Sequence, residues 1–225
     1  MGKQRYGIAA AVAAVWVAAV YRGSLRPWMY TWGATPEEIV GTLPGDELTV
    51  SPFPRTTRAI WIPASPHAVW PWLAQIGEDR GGFYSYSWLE RAVGADIHNT
   101  DLVHLEWQRL HVGDTVWLAR RYGEWACQIV AEVEPGSHLV MVSRPDFACL
   151  QEGRKARGTW SFVLLPADGG VRLVARGCGG LAGHFWFDIP HFVMERRMMQ
   201  GIRERAVNRR VKFLGSAPAR RRRRA

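Results

Sequence analysis

Apolar and polar positions change rhythm twice along the chain. From residue 115 to 176, apolar residues fall on every second position in several short runs. Trp125, Cys127, Ile129, Ala131 and Val133 alternate with Gln128, Glu132 and Glu134, which is the period of a strand with one buried face. Thr115–Arg120, Leu139–Ser143, Trp160–Leu164 and Val171–Ala175 read the same way. Tyr122-Gly123-Glu124, Pro135-Gly136 and Asp168-Gly169-Gly170 supply tight links between them. Arg144 to Gly158 reads as a loop. Arg58–Ile62 is a further strand ahead of the set. The pattern predicts an antiparallel sheet joined mostly by hairpins.

Before and after the sheet the period is helical. Ser65-Pro66 opens a helix through Val69, Trp70, Trp72, Leu73 and Ile76, with Pro71 loosening it and Gly77 ending it. Ser87-Trp88-Leu89-Glu90 spells a capping box and predicts a second helix from Ser85 to Val93. Residues 188–214 predict one long amphipathic helix. Asp188 and Pro190 suit its start, and Met194, Met198, Ile202 and Ala206 recur every four residues beside Phe192 and Met199. Arg196, Arg197, Arg203, Arg205, Arg209 and Arg210 occupy the other faces. A one-sided sheet and one long helix to cover it define an α+β fold.

The ends differ from this body. Gly7 to Val20 is apolar throughout and rich in alanine. A single membrane anchor, a cleaved signal peptide and a helix lying on the domain or a lipid surface all fit it. Residues 33–57 are broken by Pro36, Pro44, Gly45, Pro52 and Pro54, with a short helix expected at Thr35-Pro36-Glu37-Glu38. The expected division is an apolar helix over 1–26, a linker or strap over 27–56, the domain over 57–214 and a polybasic tail over 215–225.

Charge sharpens the division. Of 225 residues with net charge +9, residues 27–188 hold 13 basic and 18 acidic side chains, while both ends are basic. A nucleic-acid-binding body would itself be basic, so nucleic acid is not an expected partner. Basic ends around an apolar segment point to an anionic membrane surface. The localisation they predict is a membrane-associated protein with one N-terminal anchor and a cytoplasmic domain, the alternative being secretion after signal cleavage. Cys127, Cys149 and Cys178 lack metal or redox spacing and read as free thiols.

Two stretches carry candidate chemistry. Asp96, His98, Asp101, His104, Glu106 and His111 mix imidazoles with carboxylates, but their spacing matches no metal motif, so no metal or cofactor is expected. Arg80, Tyr84 and Tyr86 surround a Gly81-Gly82 hinge and supply a guanidinium and phenols able to polarise a carbonyl or move a proton. With His98 they are the catalytic candidates.

The order of elements resembles the helix-grip fold of the START-like superfamily, also called SRPBCC, the polyketide cyclase/dehydrase and lipid-transport group. Local words carry the resemblance. Arg58 to Trp70 is similar to the group's first strand and helix. Pro71-Trp72-Leu73-Ala74-Gln75-Ile76-Gly77 and Arg80-Gly81-Gly82-Phe83-Tyr84-Ser85-Tyr86-Ser87-Trp88-Leu89-Glu90 resemble a mainly bacterial, uncharacterised subgroup. The resemblance spans roughly residues 32 to 212. It implies a curved antiparallel sheet wrapped around the long C-terminal helix, with a hydrophobic small molecule or lipid in a cavity between them. Residues expected to line that cavity are Tyr84, Trp88, His98, Trp117, Trp125, Trp160, Phe162, Met194, Met198 and Ile202. Binding, with transfer as an extension, is the expected function; a cyclase or dehydratase acting on a polyketide-like substrate in the same cavity is the alternative.

Overall fold

The structure is a computed structural model that describes residues 2–50, 55–92, 94–179, 184–208 and 213–214. Helix α1 (Gly2–Val20) runs through a π-turn (Tyr21–Leu25) into α2 (Arg26–Tyr30), and α3 (Pro36–Val40) follows. Strand β1 (Thr56–Ile62) leads to α4 (Pro66–Ala74) and α5 (Ser87–Ala92). Then come β2 (Val103–His104), β3 (Thr115–Trp117), β4 (Cys127–Glu134), β5 (His138–Ser143), α6 (Arg144–Gln151), β6 (Thr159–Ala167), β7 (Gly170–Cys178), α7 (Phe185–Val207) and β8 (Phe213–Leu214).

Six strands form one antiparallel sheet in the order β1-β7-β6-β5-β4-β3, while β2 and β8 pair separately in parallel. The excursion from β1 through two helices and back to the far edge leaves β1 beside β7, so the sheet closes around α7. This is the helix-grip fold. Its inner face is apolar: Leu139, Met141, Phe162, Leu164, Leu173 and Ala175 pack with Trp72, Leu73, Met198, Met199 and Ile202 in a single cluster.

Alternation along β7 puts Arg172, Val174 and Arg176 on the opposite face, and this face is covered as well. Leu43 packs on Ala59, Val163 and Val174. Arg172 holds Glu38 through Nε at 2.8 Å and Nη2 at 2.7 Å. Arg176, 1% exposed, binds Asp46 at 2.5 Å, Gly41 O at 2.9 Å and Glu38 O. Thr35 caps α3 through the expected box with Glu38. Gly45, at φ +90°, lets the segment lie flat on Val140; a Cβ there would sit 2.6 Å from Val140 Cγ1. Residues 29–50 are thereby fastened over β1, β7 and β6.

Four expectations need correction. Arg144 to Gly158 is not all loop: Ser143 caps α6 by accepting from Asp146 N. The long helix starts at Phe185 and ends at Val207, so Asp188 and Pro190 lie inside its first turns and Leu214 belongs to a strand. The capping box at residues 87–90 does not form, because Ser87 is already helical and Glu90 reaches no backbone N–H. The membrane anchor also fails. Among the described residues no helix is long and apolar enough to cross a membrane. The apolar run Gly7–Val20 spans only about 21 Å as a helix against a hydrocarbon core of about 30 Å, and Lys3, Gln4 and Arg5 precede it. The tail at 215–225 and residues 180–183 lie outside the described residues.

Candidate functional site

Helix α7 carries a polar seam that the every-fourth-residue pattern misses. Its buried side is Asp188, Phe192, Glu195, Met198, Met199, Ile202 and Ala206. Met194 is only half-buried. Glu195 faces β1 and β6, where Arg58 Nη1 donates to Oε2 at 2.5 Å and Trp160 Nε1 donates to Oε1 at 2.7 Å. Arg58 also donates from Nε to Met29 O at 2.7 Å and lies over the Phe192 ring at 5.3 Å. His191, one turn before Glu195, approaches Arg58 Nη1 through Nδ1 at 3.2 Å. Arginine only donates, so Nδ1 accepts and the neutral ring carries its proton on Nε2. Burial lowers the His191 pKa and keeps it neutral at pH 7. Burial works to raise Glu195, yet the Arg58 charge and the hydrogen bonds from Arg58 and Trp160 outweigh it and hold the carboxyl below its usual range.

A second carboxylate on α7 is treated the same way. Asp188 Oδ2 accepts from Tyr30 OH at 2.9 Å and Tyr21 OH at 3.1 Å, with Arg26 Nε at 3.5 Å. Burial first, then Asp188, pushes the Tyr21 phenol up to about 12. These bonds tie the N-terminal helical segment to α7. Both buried acids of α7 are thus matched to cations or phenols. His191 Nδ1 is engaged by Arg58 and Nε2 lies 3.8 Å from Glu195 Oε1, which suits a structural network better than an acid–base centre.

The corner where α4 meets the loop before α5 is built differently. Trp72, Tyr84, Ser85 and Glu90 are all buried, and Trp72 Nε1, Tyr84 OH, Ser85 Oγ and both Glu90 carboxyl oxygens have no hydrogen-bond partner. Trp72 and Tyr84 meet edge to face with centroids 5.9 Å apart. Tyr84 is the one non-glycine residue with positive φ (57°) among the described residues, a conformation that is a genuine outlier for a bulky side chain and costs of order 1–3 kcal/mol. It is locked there from several sides. Asn99 Oδ1 accepts from Tyr84 N at 2.6 Å and Asn99 Nδ2 donates to Ser85 O at 3.1 Å. Arg205 of α7 lies over the ring at 4.6 Å. Gly201 lets α7 touch the loop backbone; a Cβ at 201 would fall 2.4 Å from Tyr84 O.

Gln75 lies beside the Tyr84 hydroxyl, and its amide works against burial by favouring the ionised phenol. It donates to Leu102 O at 3.0 Å and accepts from His104 N at 3.1 Å. Burial keeps the Tyr84 phenol protonated by raising its pKa. Burial also pushes Glu90 up to about 7, with Arg91 pulling weakly the other way. Trp72 and Tyr84 are in ring contact and Ser85 follows Tyr84 in the chain, while Glu90 lies on α5 with a carboxyl that changes charge near neutrality. The indole, phenol and hydroxyl can donate to carbonyl-type acceptors, and the carboxylate can accept from a hydroxyl or amine.

The expected site residues divide between the interior and the surface. Tyr84, Phe162, Met198 and Ile202 are buried, and Trp160 and Met194 are half-buried. Phe162, Met198 and Ile202 are packed into the interior cluster. Trp125 is 93% exposed and Trp88 65% exposed, so neither lines an enclosed space. Trp125 misses the sheet because β4 starts only at Cys127, after a 3-10 turn kinked at Gly123. Trp117 sits half-buried under Arg120 at 5.8 Å. His98 is exposed and pairs loosely with Asp96 at 3.7 Å. Tyr86 is 38% exposed, and Arg80 reaches only Thr115 O at 3.5 Å. The structure thus brings Tyr84, Phe162, Met198 and Ile202 together in one interior cluster with Trp160 packed against it and Trp72 beside them; the buried polar residues Ser85 and Glu90 were not in the expected set. Among the described residues no group of three His, Cys, Asp or Glu could hold a metal ion; His104 and His111 pair separately with Glu106 and Asp114.

No family model and no curated protein sequence matches the chain. Solved structures are similar at the level of fold. One is a protein of Nitrosomonas europaea, 14% identical, covering 73% of this chain and 97% of that one with a TM-score of 0.45. The Aha1 dimer from Colwellia psychrerythraea is 12% identical over 66% of this chain and 90% of that one, TM-score 0.37. A Polyketide_cyc-like protein of Corynebacterium glutamicum is 17% identical over 68% and 86%, TM-score 0.29.

Proposed function

We propose that this chain binds a hydrophobic small molecule carrying a polar, hydrogen-bonding head, and that the head is received by Trp72, Tyr84, Ser85 and Glu90. The observation that carries the reading is the set of unpartnered buried polar atoms around the strained Tyr84. Each such atom costs roughly 1–3 kcal/mol when left unmade, and buried polar atoms in folded chains are otherwise paired. The buried acids of α7 obey that rule in this same molecule. A ligand head that donates to Glu90 and accepts from Trp72 and Tyr84 would repay the cost on binding. Apolar neighbours such as Leu73, Phe83 and Met199 suit the ligand body.

The test is native mass spectrometry of the purified protein, followed by thermal-shift screening with medium-chain alcohols, ketones and lipids. Wild-type protein should retain or take up a compound that Glu90→Met and Tyr84→Phe do not. Equal uptake by all three proteins would overturn the assignment.

A second reading rests on Glu90 alone. A carboxyl poised near pH 7 is suited to general acid–base catalysis, which would make the bound molecule a substrate. Solvent deuterium should then enter the bound compound with a pH dependence centred near neutrality, and Glu90→Gln should stop it without releasing the compound.

A further inference from the structure

On the opposite face of the sheet, α6 and β4 shape a surface cavity of about 240 Å³ lined by Gly113, Ile129, Arg144, Phe147, Ala148 and Gln151. Val130 and its partner Met141 point into the interior cluster, so Ile129 points away from it, and this cavity is separate from the α4–α5 corner. Its walls are Ile129, Phe147 and Ala148, and Arg144 is the one charged residue among those that line it. The guanidinium is poorly matched. Arg144 Nε is buried and meets no acceptor. Nη2 rests 3.9 Å from Cys127 Sγ, a weak acceptor. The ion-pair partner Glu124 stays 3.7 Å from Nε, too long for a hydrogen bond, and is 74% exposed.

We propose that this cavity binds a small organic monocarboxylate, with the carboxylate on Arg144 and the apolar body against Phe147 and Ile129. One cation matches one negative charge, and the planar guanidinium matches a carboxylate. A phosphate dianion would carry one more negative charge than the lining has cations. The apolar walls favour a body over a bare inorganic anion. The volume lies below the roughly 300–1,000 Å³ of drug-sized sites, so the occupant is a fragment such as a single ring or a short chain. Glu124 occupies the same guanidinium when the cavity is empty and is the group the ligand displaces.

Benzoate is the probe, with benzamide as its neutral counterpart and chloride at equal ionic strength as the control. Benzoate should shift the backbone amide resonances of Gly113, Ala148 and Gln151 saturably, and benzamide should bind at least tenfold more weakly. Arg144→Met should abolish the saturable shifts. Glu124→Gln, which leaves the arginine in place, should tighten benzoate severalfold. Tyr84→Phe should leave benzoate binding unchanged, which separates this site from the α4–α5 corner. The proposal is overturned if benzamide or chloride reproduces the shifts, if Arg144→Met binds benzoate like the wild type, or if Glu124→Gln weakens it.

Discussion

Glu195 and Glu90 are the same residue type at nearly the same depth, 3% and 1% exposed, and the fold treats them in opposite ways. Glu195 receives Arg58, Trp160 and a neighbouring His191, and its carboxyl is held low. Glu90 receives nothing, and its carboxyl is driven up towards 7. The difference teaches where this chain spends stability. The Glu195 network joins β1, β6 and α7 and ties in the N-terminal segment through Met29 O and Asp188. The Glu90 corner, with a strained Tyr84 and three further unmade hydrogen bonds, is a local inconsistency of the fold, and the proposed binding site rests on it.

Breaking the paired side should have the largest effect. Arg58→Met strands Glu195 as an uncompensated buried charge, and such losses run to about 3–5 kcal/mol. Urea unfolding should show a collapse in midpoint or no folded protein at all. A loss below about 1 kcal/mol would mean that the network is not the clamp described.

The two carboxylates should next part company with pH. The folded chain keeps a proton on Glu90 between its ordinary value of 4.5 and about 7, where the unfolded chain has released it. Stability should therefore fall as pH rises through that window, by about 3 kcal/mol, and level off above it. Glu90→Gln should remove this fall. Glu195 contributes in the opposite sense, because its depressed carboxyl favours the fold above pH 4.5 and loses that contribution as acid protonates it. Stability measured from pH 4 to 8 in both proteins separates the two.

Smaller changes refine the contrast. Tyr84→Phe deletes one unpartnered hydroxyl and should raise ligand-free stability by about 1 kcal/mol while lowering ligand uptake. Trp125→Ala, at a fully exposed position outside the sheet, should change stability by no more than about 0.5 kcal/mol and leave uptake intact.

Much of the fold was legible because alternation and turn chemistry are local. Trp160–Leu164 and Val171–Ala175, with Asp168-Gly169-Gly170 between them, specify their hairpin without reference to the rest of the chain. Trp125 shows the limit: it continues the alternation of β4 by identity, but the kink at Gly123 turns it out to solvent. The site was less legible. Glu195 sits between Phe192 and Met198 in the buried stripe, a spacing that signals a buried acid, yet an every-fourth count through Met194 passes it by. Glu90 was masked by a convincing local pattern. Ser87-Trp88-Leu89-Glu90 reads as a capping box, and only the start of helix at Ser87 and the burial of Glu90 show that the acid serves no cap. Its significance lies in what it fails to touch, and no local pattern encodes that.

The most direct measurement is urea unfolding of ligand-free wild type and Glu90→Met at pH 8, where the wild-type carboxyl is ionised. Methionine keeps the unbranched shape and removes the unmet polar atoms. The Glu90→Met protein should unfold at higher urea with an unchanged slope, a gain of about 1–3 kcal/mol, and should no longer take up ligand. A lower midpoint for Glu90→Met would contradict the account, because it would show that Glu90 is a satisfied structural group and that the α4–α5 corner holds nothing in reserve for a ligand.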